Sequence, residues 1–313
     1  MITHPTKARL FRSGFRALQL SNAFLSVEIV PDLGARIVSL KNPRTGREWC
    51  WHPGSEARLY SNSYGDLFSD SPHAGFDECF PTIEPCDLNG RHLPCHGEVW
   101  SEPWALDQGA WEQGIISTTI SCRQSPFELN RQVSLHGNQL HLFYVLRNLG
   151  SAPEPYLWAF HPMIRVHAED RLELPQEVAS LQIEGAKGSP ADSEGSEWAW
   201  PSPFPNFHLD RFDLGANLSA TVKGFTGKLK DTRARIANRV SGEFLEMSWD
   251  AERNPFLGVW INRGGYQGFQ NVAALEPTNG QTDFLSKHHT SPHLPAGGTC
   301  SWSMAIALGG NLQ

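Results

Sequence analysis

The strongest constraint on the fold is a two-residue alternation of apolar and polar side chains that runs from residue 111 to residue 148. It is clearest in three segments, at 114–122, 127–135 and 139–148. Successive side chains of a β-strand point to opposite faces, so this alternation predicts strands with one face in a core and the other in solvent. No segment of ordinary helix length shows the apolar repeat of an amphipathic helix. The chain is therefore expected to be built from β-sheets.

The rest of the chain adds further strands and no domain boundary. Strand-like patterns occupy residues 24–30, 35–40, 47–51, 220–230, 242–249, 256–262 and 300–308. A short helix is predicted at 176–183, and residues 1–20 are predicted to form a lead-in strand or arm. The 313 residues contain no internal repeat and no long linker, and they are numerous enough to bury a large core. We expect residues 1–313 to form one domain, a large all-β sandwich.

Charge and composition argue against two classes of partner. The net charge is −7 and the isoelectric point is about 6.0, whereas nucleic acids and anionic membranes require clustered basic side chains. No apolar run has the length of a membrane span, and the N-terminus has no secretory signal, so a cytoplasmic location is expected. We expect a monomer or a homodimer.

The six cysteines follow no recognisable disulfide or zinc pattern. A zinc site built from Cys79, Cys86 and Cys95 would need the CxxC spacing of a zinc knuckle, which is missing, so buried reduced thiols are predicted. Three histidines between residues 288 and 293 lie beside prolines in a predicted loop, without the spacing of a helical ligand pair. No metal or other cofactor is expected.

Two strand endings share one pattern, in which an apolar strand is followed by an ionisable residue and a proline. Glu276 follows four apolar residues and precedes Pro277, which lacks an N–H group and cannot continue a central strand. His161 follows another apolar run and precedes Pro162. A carboxylate at the end of a rigid apolar strand is desolvated and fixed in position, and both properties suit a proton acceptor. Glu276 and His161 are therefore predicted to form an acid–base pair.

Further candidate residues lie in the N-terminal half. A loop at 52–74, rich in serine, glycine and proline, is long enough to predict a functional segment or a lid. It leads to Asp77 and Glu78, which are adjacent on a predicted strand, so at most one of them can face a ligand. His96 precedes Gly97, and a glycine lets backbone or ligand approach closely.

Taken together, these segments resemble the aldose 1-epimerase, or galactose mutarotase-like, superfamily. The matching stretches are GFDECFPTI at 75–83, LPCHGEVW at 93–100, WAFHP at 158–162, LGVWIN at 257–262, ALEPTNG at 274–280 and LPAGG at 294–298. Their order and spacing extend over residues 22–309, which is nearly the whole chain. The resemblance implies a large twisted β-sandwich, the supersandwich, that binds a monosaccharide on one concave face without a metal or cofactor.

The resemblance also implies three catalytic roles. Glu276 matches the general base of the family, and His161 matches its general acid at the ring oxygen. His96 matches the second histidine, near C1 and the ring oxygen. We expect Glu276 to remove the proton of the C1 hydroxyl while a protonated His161 donates one to the ring oxygen. Since the reverse reaction exchanges these roles, both pKa values are expected near neutrality.

Four further residues are assigned to substrate binding. Trp260 and Asn262 match positions where the family often lines the sugar site. Asp77 and Trp158 are added from the matching stretches, because aromatic planes pack on sugar rings and one carboxylate of the 77–78 pair can face the ligand. The Asn-Arg motif of the best-known galactose mutarotases is missing between residues 60 and 81, and their substrate-binding aspartate has no matching motif here.

The function implied by the resemblance is interconversion of the α and β anomers of a free monosaccharide. One alternative is a sugar-phosphate 1-epimerase, but Glu98 and Glu102 follow His96 where that branch usually has an arginine, and a phosphate needs positive charge. Another is a carbohydrate-binding or regulatory protein that catalyses no reaction. A lyase or hydrolase on a related sandwich usually has an added helical domain, for which the chain has no sequence.

Overall fold

Two large antiparallel sheets make up most of the chain in a computed structural model. The structure describes residues 6–53, 58–71, 74–190, 195–213, 219–267 and 272–310. In this part of the chain the larger sheet has 12 strands and the smaller sheet has 8. The predicted all-β sandwich is confirmed.

The strands are numbered here in chain order. In spatial order, the larger sheet consists of β1 Thr6–Arg12, β2 Phe15–Ser21, β3 Ser26–Val30, β4 Arg36–Lys41, β5 Phe76–Cys79, β13 Ala159–Pro162, β22 Val272–Thr278, β21 Phe256–Asn262, β18 Thr221–Phe225, β16 Ser180–Lys187 and β17 Glu197–Ala199, with β14 Ile164–Arg165 also paired to β22. The smaller sheet consists of β15 Asp170–Glu173, β19 Arg233–Asn238, β20 Phe244–Trp249, β24 Thr299–Gly309, β11 Gln139–Asn148, β10 Phe127–His136, β9 Ile116–Ser121 and β8 Ala105–Leu106. Two short pairs complete the strands, β6 Cys86–Leu88 with β7 Arg91–Leu93, and β12 Glu154–Pro155 with β23 His293–Leu294.

Helical structure is confined to short segments in the described residues. The α-helix α1 Gln108–Glu112 begins at Asp107, whose carboxylate accepts a hydrogen bond from Ala110 N. Two 3₁₀ turns lie at Phe68–Asp70 and Leu285–Lys287. None of these helices is long and apolar enough to cross a membrane.

The clearest sequence pattern forms the central hairpin of the smaller sheet. In β10 and β11 buried side chains alternate with more exposed ones, as the sequence predicts. The two strands pair from Phe127 with Asn148 to His136 with Gln139, leaving a two-residue turn. Gly137 occupies its first position with a positive φ of 60°, which favours glycine.

Of three local predictions, one agrees with the structure in part and two differ from it. Residues 6–21 form the hairpin β1–β2 at the edge of the larger sheet, so of the predicted lead-in strand or arm the strand is correct, and it is paired. The predicted helix at 176–183 is wrong, because its second half begins β16, where Leu181 and Ile183 are buried on one face. The predicted strand at 47–51 makes only isolated bridges, since Glu48 Oε1 accepts hydrogen bonds from the backbone N of Leu40 and Cys50.

The core lies between the two sheets and contains a buried ion pair. Arg131 of β10 donates to Glu78 of β5 over 2.8 Å, and the side chains of both residues are fully buried. Glu78 also accepts hydrogen bonds from Tyr144 Oη at 2.8 Å and Trp158 Nε1 at 2.9 Å. Three donors compensate the desolvated carboxylate, so Glu78 joins the two sheets.

The opposite face of the larger sheet presents a different set of side chains. Strand alternation puts Phe160, Val259 and Leu275 into the core, and it turns His161 and Glu276 to the other side. The six cysteines are free thiols, of which five are buried as predicted and Cys122 is half-buried.

Candidate functional site

The outer face of the larger sheet has a cavity of about 140 Å³. Its walls combine aromatic rings with ionisable side chains from four strands and several loops. It is lined by Phe68, Ile83, Glu84, His96, His161, Lys223, Trp260, Tyr266, Glu276 and Asp283. The three predicted catalytic residues and Trp260 therefore meet in one cavity.

Glu276 lies on β22 at the floor of this cavity, and it is fully buried. Its Oε2 accepts a hydrogen bond from Lys223 Nζ. Its Oε1 has no hydrogen-bond partner among the described residues and lies 3.9 Å from His161 Nε2. One carboxylate oxygen is thus held in place, while the other is buried beside His161 with its hydrogen-bonding capacity unused within the described part of the chain.

His161 lies on β13, directly opposite Asp77 of β5 in the sheet. Burial lowers the pKa of His161, and the nearby Glu276 carboxylate offsets this only in part. The predicted pKa near neutrality is therefore displaced downward, because burial disfavours the imidazolium. Burial therefore favours the uncharged imidazole over the predicted protonated form.

His96 enters the cavity from a tight backbone turn. It has a positive φ of 58° and is followed by Gly97, where an added Cβ would lie 2.0 Å from Phe80 O. Only glycine allows this approach, which forms the bridge between Phe80 and Gly97 and aims His96 at the cavity. The His96 and His161 rings are 4.9 Å apart between centroids, and Phe68 stacks on His96 at 3.8 Å.

A neighbouring thiol contacts His96. Cys95 Sγ lies 3.3 Å from His96 Nδ1, and burial raises the pKa of Cys95 to about 11, so the thiol keeps its proton at neutral pH. A neutral thiol can donate to Nδ1 or accept from it, according to the tautomer of the imidazole. The role of His96 as a hydrogen-bond donor to the ligand stays a prediction.

Lys223, Asp283 and Phe68 are among the lining residues that the sequence does not predict. Lys223 of β18 contacts Glu276 and lies 3.4 Å from Asp283 Oδ1. Burial raises the pKa of Asp283 to about 7, although the Lys223 ammonium acts in the opposite direction. The third is Phe68, which comes from the 52–74 loop that the sequence marks as functional. The one sequence signal that could have indicated Lys223 is its position two residues before the buried Phe225 on an alternating strand.

Trp260 and Asn262 lie on β21 but have different roles. Trp260 lines the cavity and meets the ring of Tyr266 edge-on at 5.9 Å. Asn262 is fully buried and lies outside the lining. Its side chain accepts from Tyr266 N at 3.0 Å and donates to Tyr266 O at 3.1 Å. Asn262 therefore holds the loop that presents Tyr266.

Asp77 and Trp158 do not line the cavity, contrary to the prediction. Asp77 is on the same face as His161, but its Oδ1 accepts from Arg36 Nε at 2.6 Å and both side chains are buried. Trp158 lies on the core side, where its indole contacts Tyr144 and donates to Glu78. The Asp77 side chain is therefore engaged in an ion pair, and the Trp158 side chain is packed in the core.

Solved structures match this chain over nearly its whole length. A galactose mutarotase-like protein from Clostridium acetobutylicum has a TM-score of 0.69 at 13% identity, covering 98% of this chain and 99% of that one. A galactose mutarotase-like protein from Lactobacillus casei has a TM-score of 0.67 at 18% identity, covering 94% and 100%. A galactose mutarotase related enzyme from Lactobacillus acidophilus has a TM-score of 0.66 at 14% identity, covering 94% and 97%. The chain has the galactose mutarotase-like fold.

No model of a known protein family matches the chain, and no curated protein sequence does. The structural matches confirm the predicted resemblance at the level of the galactose mutarotase-like fold. In this chain the fold brings together Glu276, His161 and His96, which are far apart in sequence, because β22 and β13 are neighbours in the larger sheet and the Gly97 turn lies beside them.

Proposed function

We propose that the protein is an aldose 1-epimerase, which interconverts the α and β anomers of a free monosaccharide without a cofactor. The observation that carries this proposal is the 3.9 Å separation between Glu276 Oε1 and His161 Nε2 inside one cavity. The C1 hydroxyl and the ring oxygen of an aldose are both bonded to C1, so a carboxylate and an imidazole this close together can contact both at once. His96 lies beside them as a hydrogen-bond donor.

The ring opens in one concerted proton exchange. Glu276 Oε1 takes the proton of the C1 hydroxyl, and the electron pair of that O–H bond forms the C1 carbonyl. The bond from C1 to the ring oxygen breaks, and this oxygen takes a proton from His161. After rotation about C1–C2, the same steps in reverse close the ring on the other face of C1. Each positioned proton transfer contributes about 10²–10⁴-fold to the rate.

The test is a polarimetric assay of anomer interconversion over a panel of free aldoses. We expect at least one aldose to equilibrate faster than its uncatalysed rate, in proportion to protein concentration. A carbohydrate-binding protein without catalysis would bind the sugar and leave that rate unchanged, which would overturn the proposal.

The charges in the cavity predict a preference for uncharged sugars. Among the described residues that line it, Lys223 is the one lysine or arginine, and it contacts Glu276 and Asp283. A phosphate would meet these carboxyl groups and Glu84 without a free cation, so we expect kcat/KM for glucose 6-phosphate to be about tenfold or more below that for glucose. The control is 6-O-methyl glucose, whose size lies between those of the two substrates. It separates the effect of the phosphate charge from the effect of added bulk at C6. Equal kcat/KM for glucose and glucose 6-phosphate would contradict this prediction.

The lowered pKa of His161 predicts the pH dependence of the reaction. The acid form of His161 is lost as pH rises through its pKa, and burial puts that pKa below 6.5. We therefore expect kcat/KM to fall along an alkaline limb that begins below pH 6.5, so the reaction is faster at pH 6 than at pH 8. Polarimetric rates from pH 4 to 9, corrected for uncatalysed mutarotation, measure this. A plateau that extends to pH 8 would contradict the assignment of His161 as the acid.

A further inference from the structure

Lys223 is a charged cavity residue for which the proposed mechanism has no role, and its side chain is held by two carboxyl groups. The side chain is only 13% exposed. Its ammonium contacts Oε2 of Glu276 and lies 3.4 Å from Oδ1 of Asp283. A buried ammonium is costly unless it is paired, and two carboxyl groups pair this one.

The sheet register explains how Lys223 reaches Glu276. Lys223 pairs with Trp260 of β21, and Glu276 pairs with Gly258 of the same strand, so β21 lies between the two residues. A Cβ at position 258 would come within 3.2 Å of Glu276 Oε2. The absence of a side chain at Gly258 leaves the space in which the two groups meet.

Hydrogen bonds of its backbone groups hold Asp283 on the other side of the Lys223 ammonium. Its carbonyl accepts hydrogen bonds from the backbone N of Ile83 at 3.1 Å and of Glu84 at 2.7 Å. Its backbone N donates to Glu184 Oε1 at 3.3 Å. The carboxyl group of Asp283 is therefore fixed beside Lys223, and its Oδ1 is buried without a hydrogen-bond partner in the described part of the chain.

We propose that Lys223 is a positioning residue for Glu276, which it holds by Oε2 so that Oε1 is the proton-accepting atom, while Asp283 keeps the ammonium in place. This role rests on the proposed function of Glu276 as the base. Lys223 touches the carboxylate rather than the reacting sugar atoms in this arrangement. It favours the ionised carboxylate and removes the rotational freedom that would let either oxygen face the substrate.

The charges around Lys223 support this role. Burial alone would lower its pKa, but Asp283 and Glu276 together raise it above the ordinary value for lysine. The other titratable groups near these residues are Cys79 of β5, His161 of β13, and Glu84 and Glu184 beside Asp283. Lys223 therefore remains charged over the whole pH range in which Glu276 would act.

The first experiment compares Lys223→Met with Lys223→Arg, and uses Lys228→Met as the matched control on an exposed lysine. We expect Lys223→Met to lose about 10–100-fold in kcat and to move the acidic limb of the pH–rate profile about one pH unit or more upward, since an unpaired carboxylate holds its proton more tightly. Lys223→Arg keeps the cation and is expected to keep the limb near its original position. An unchanged kcat in Lys223→Met, or a loss with an unmoved limb, would overturn the proposal.

The second experiment does not depend on activity. In ¹³C-lysine-labelled protein, the Cε resonance that disappears in Lys223→Met identifies Lys223. We expect this resonance to titrate at higher pH than those of the exposed lysines, and Asp283→Asn to bring its titration down toward theirs. If Lys223 titrates with the exposed lysines, the proposed cluster is absent, whether or not the protein is an epimerase. If it titrates high but the wild-type protein accelerates no sugar, the cluster stands and the proposed function fails.

Discussion

Replacing Glu276 by glutamine is expected to reduce kcat for anomer interconversion by about 10²–10⁴-fold. The amide has nearly the shape of the carboxylate, and its oxygen can still accept the hydrogen bond from Lys223, so the cavity keeps its form. What is lost is the ability of Oε1 to take a proton. Polarimetry on the best aldose of the panel measures the rate, and circular dichroism verifies that the fold is retained.

The matched control for this variant is Glu246→Gln, which changes a carboxylate of the smaller sheet that is 29% exposed and lies 4.0 Å from Arg233. It should keep the wild-type kcat. Wild-type activity in Glu276→Gln would remove Glu276 as the base, and the proposed mechanism with it.

The largest expected effect on stability follows from Glu78→Ala. This change removes the partner of Arg131, whose side chain is fully buried and would then carry an uncompensated charge in the core. Tyr144 and Trp158 would each lose a hydrogen-bond acceptor. Removing one member of a buried pair costs about 3–5 kcal/mol, so we expect a loss of that size in the free energy of unfolding, measured by denaturant titration.

A surface pair provides the comparison. Arg147 and Glu128 are 3.2 Å apart on the smaller sheet, with 58% and 27% of their side chains exposed. Glu128→Ala should cost about 0–1 kcal/mol, because solvent screens the pair. If Glu78→Ala costs no more than Glu128→Ala, the buried pair does not join the sheets as described.

The fold could be predicted because its information is local. The alternation in β10 and β11 reports which side of each strand is buried, and it requires no knowledge of partners. Strand alternation also separates Asp77 from Glu78, since Asp77 faces the outer side of the sheet and Glu78 faces the core. Strand alternation does not show that Arg36 forms an ion pair with Asp77. The two residues are distant in sequence, and they meet only through the pairing of β4 with β5.

The site could be predicted only where one residue carried its own signal. The predicted strand end at Pro277 is wrong, because β22 continues through Pro277, which pairs with Leu257, to Thr278. Pro162 is the last residue of β13. Glu276 and His161 nevertheless each stand between an apolar run and a proline, and this mark belongs to two residues that the structure brings to the cavity. Lys223 and Asp283 have no such mark, since their meeting depends on the register of β18, β21 and β22. Trp158 lies on the core side, which the sequence does not indicate, because its apolar run is buried on both faces and the pattern does not distinguish the core side from the cavity side.

The cavity draws its residues from two kinds of element. Glu276, His161 and Lys223 stand on paired strands of the larger sheet, whereas Phe68 and Tyr266 come from connecting segments outside the strands. Strands hold interatomic distances more rigidly than loops do, and loops tolerate substitution and changes of length. Under the proposed function, exchange of the loop residues is expected to change which aldose is accepted while the spacing of the proton-transferring groups stays constant. Loop grafting is then the route to altering sugar preference.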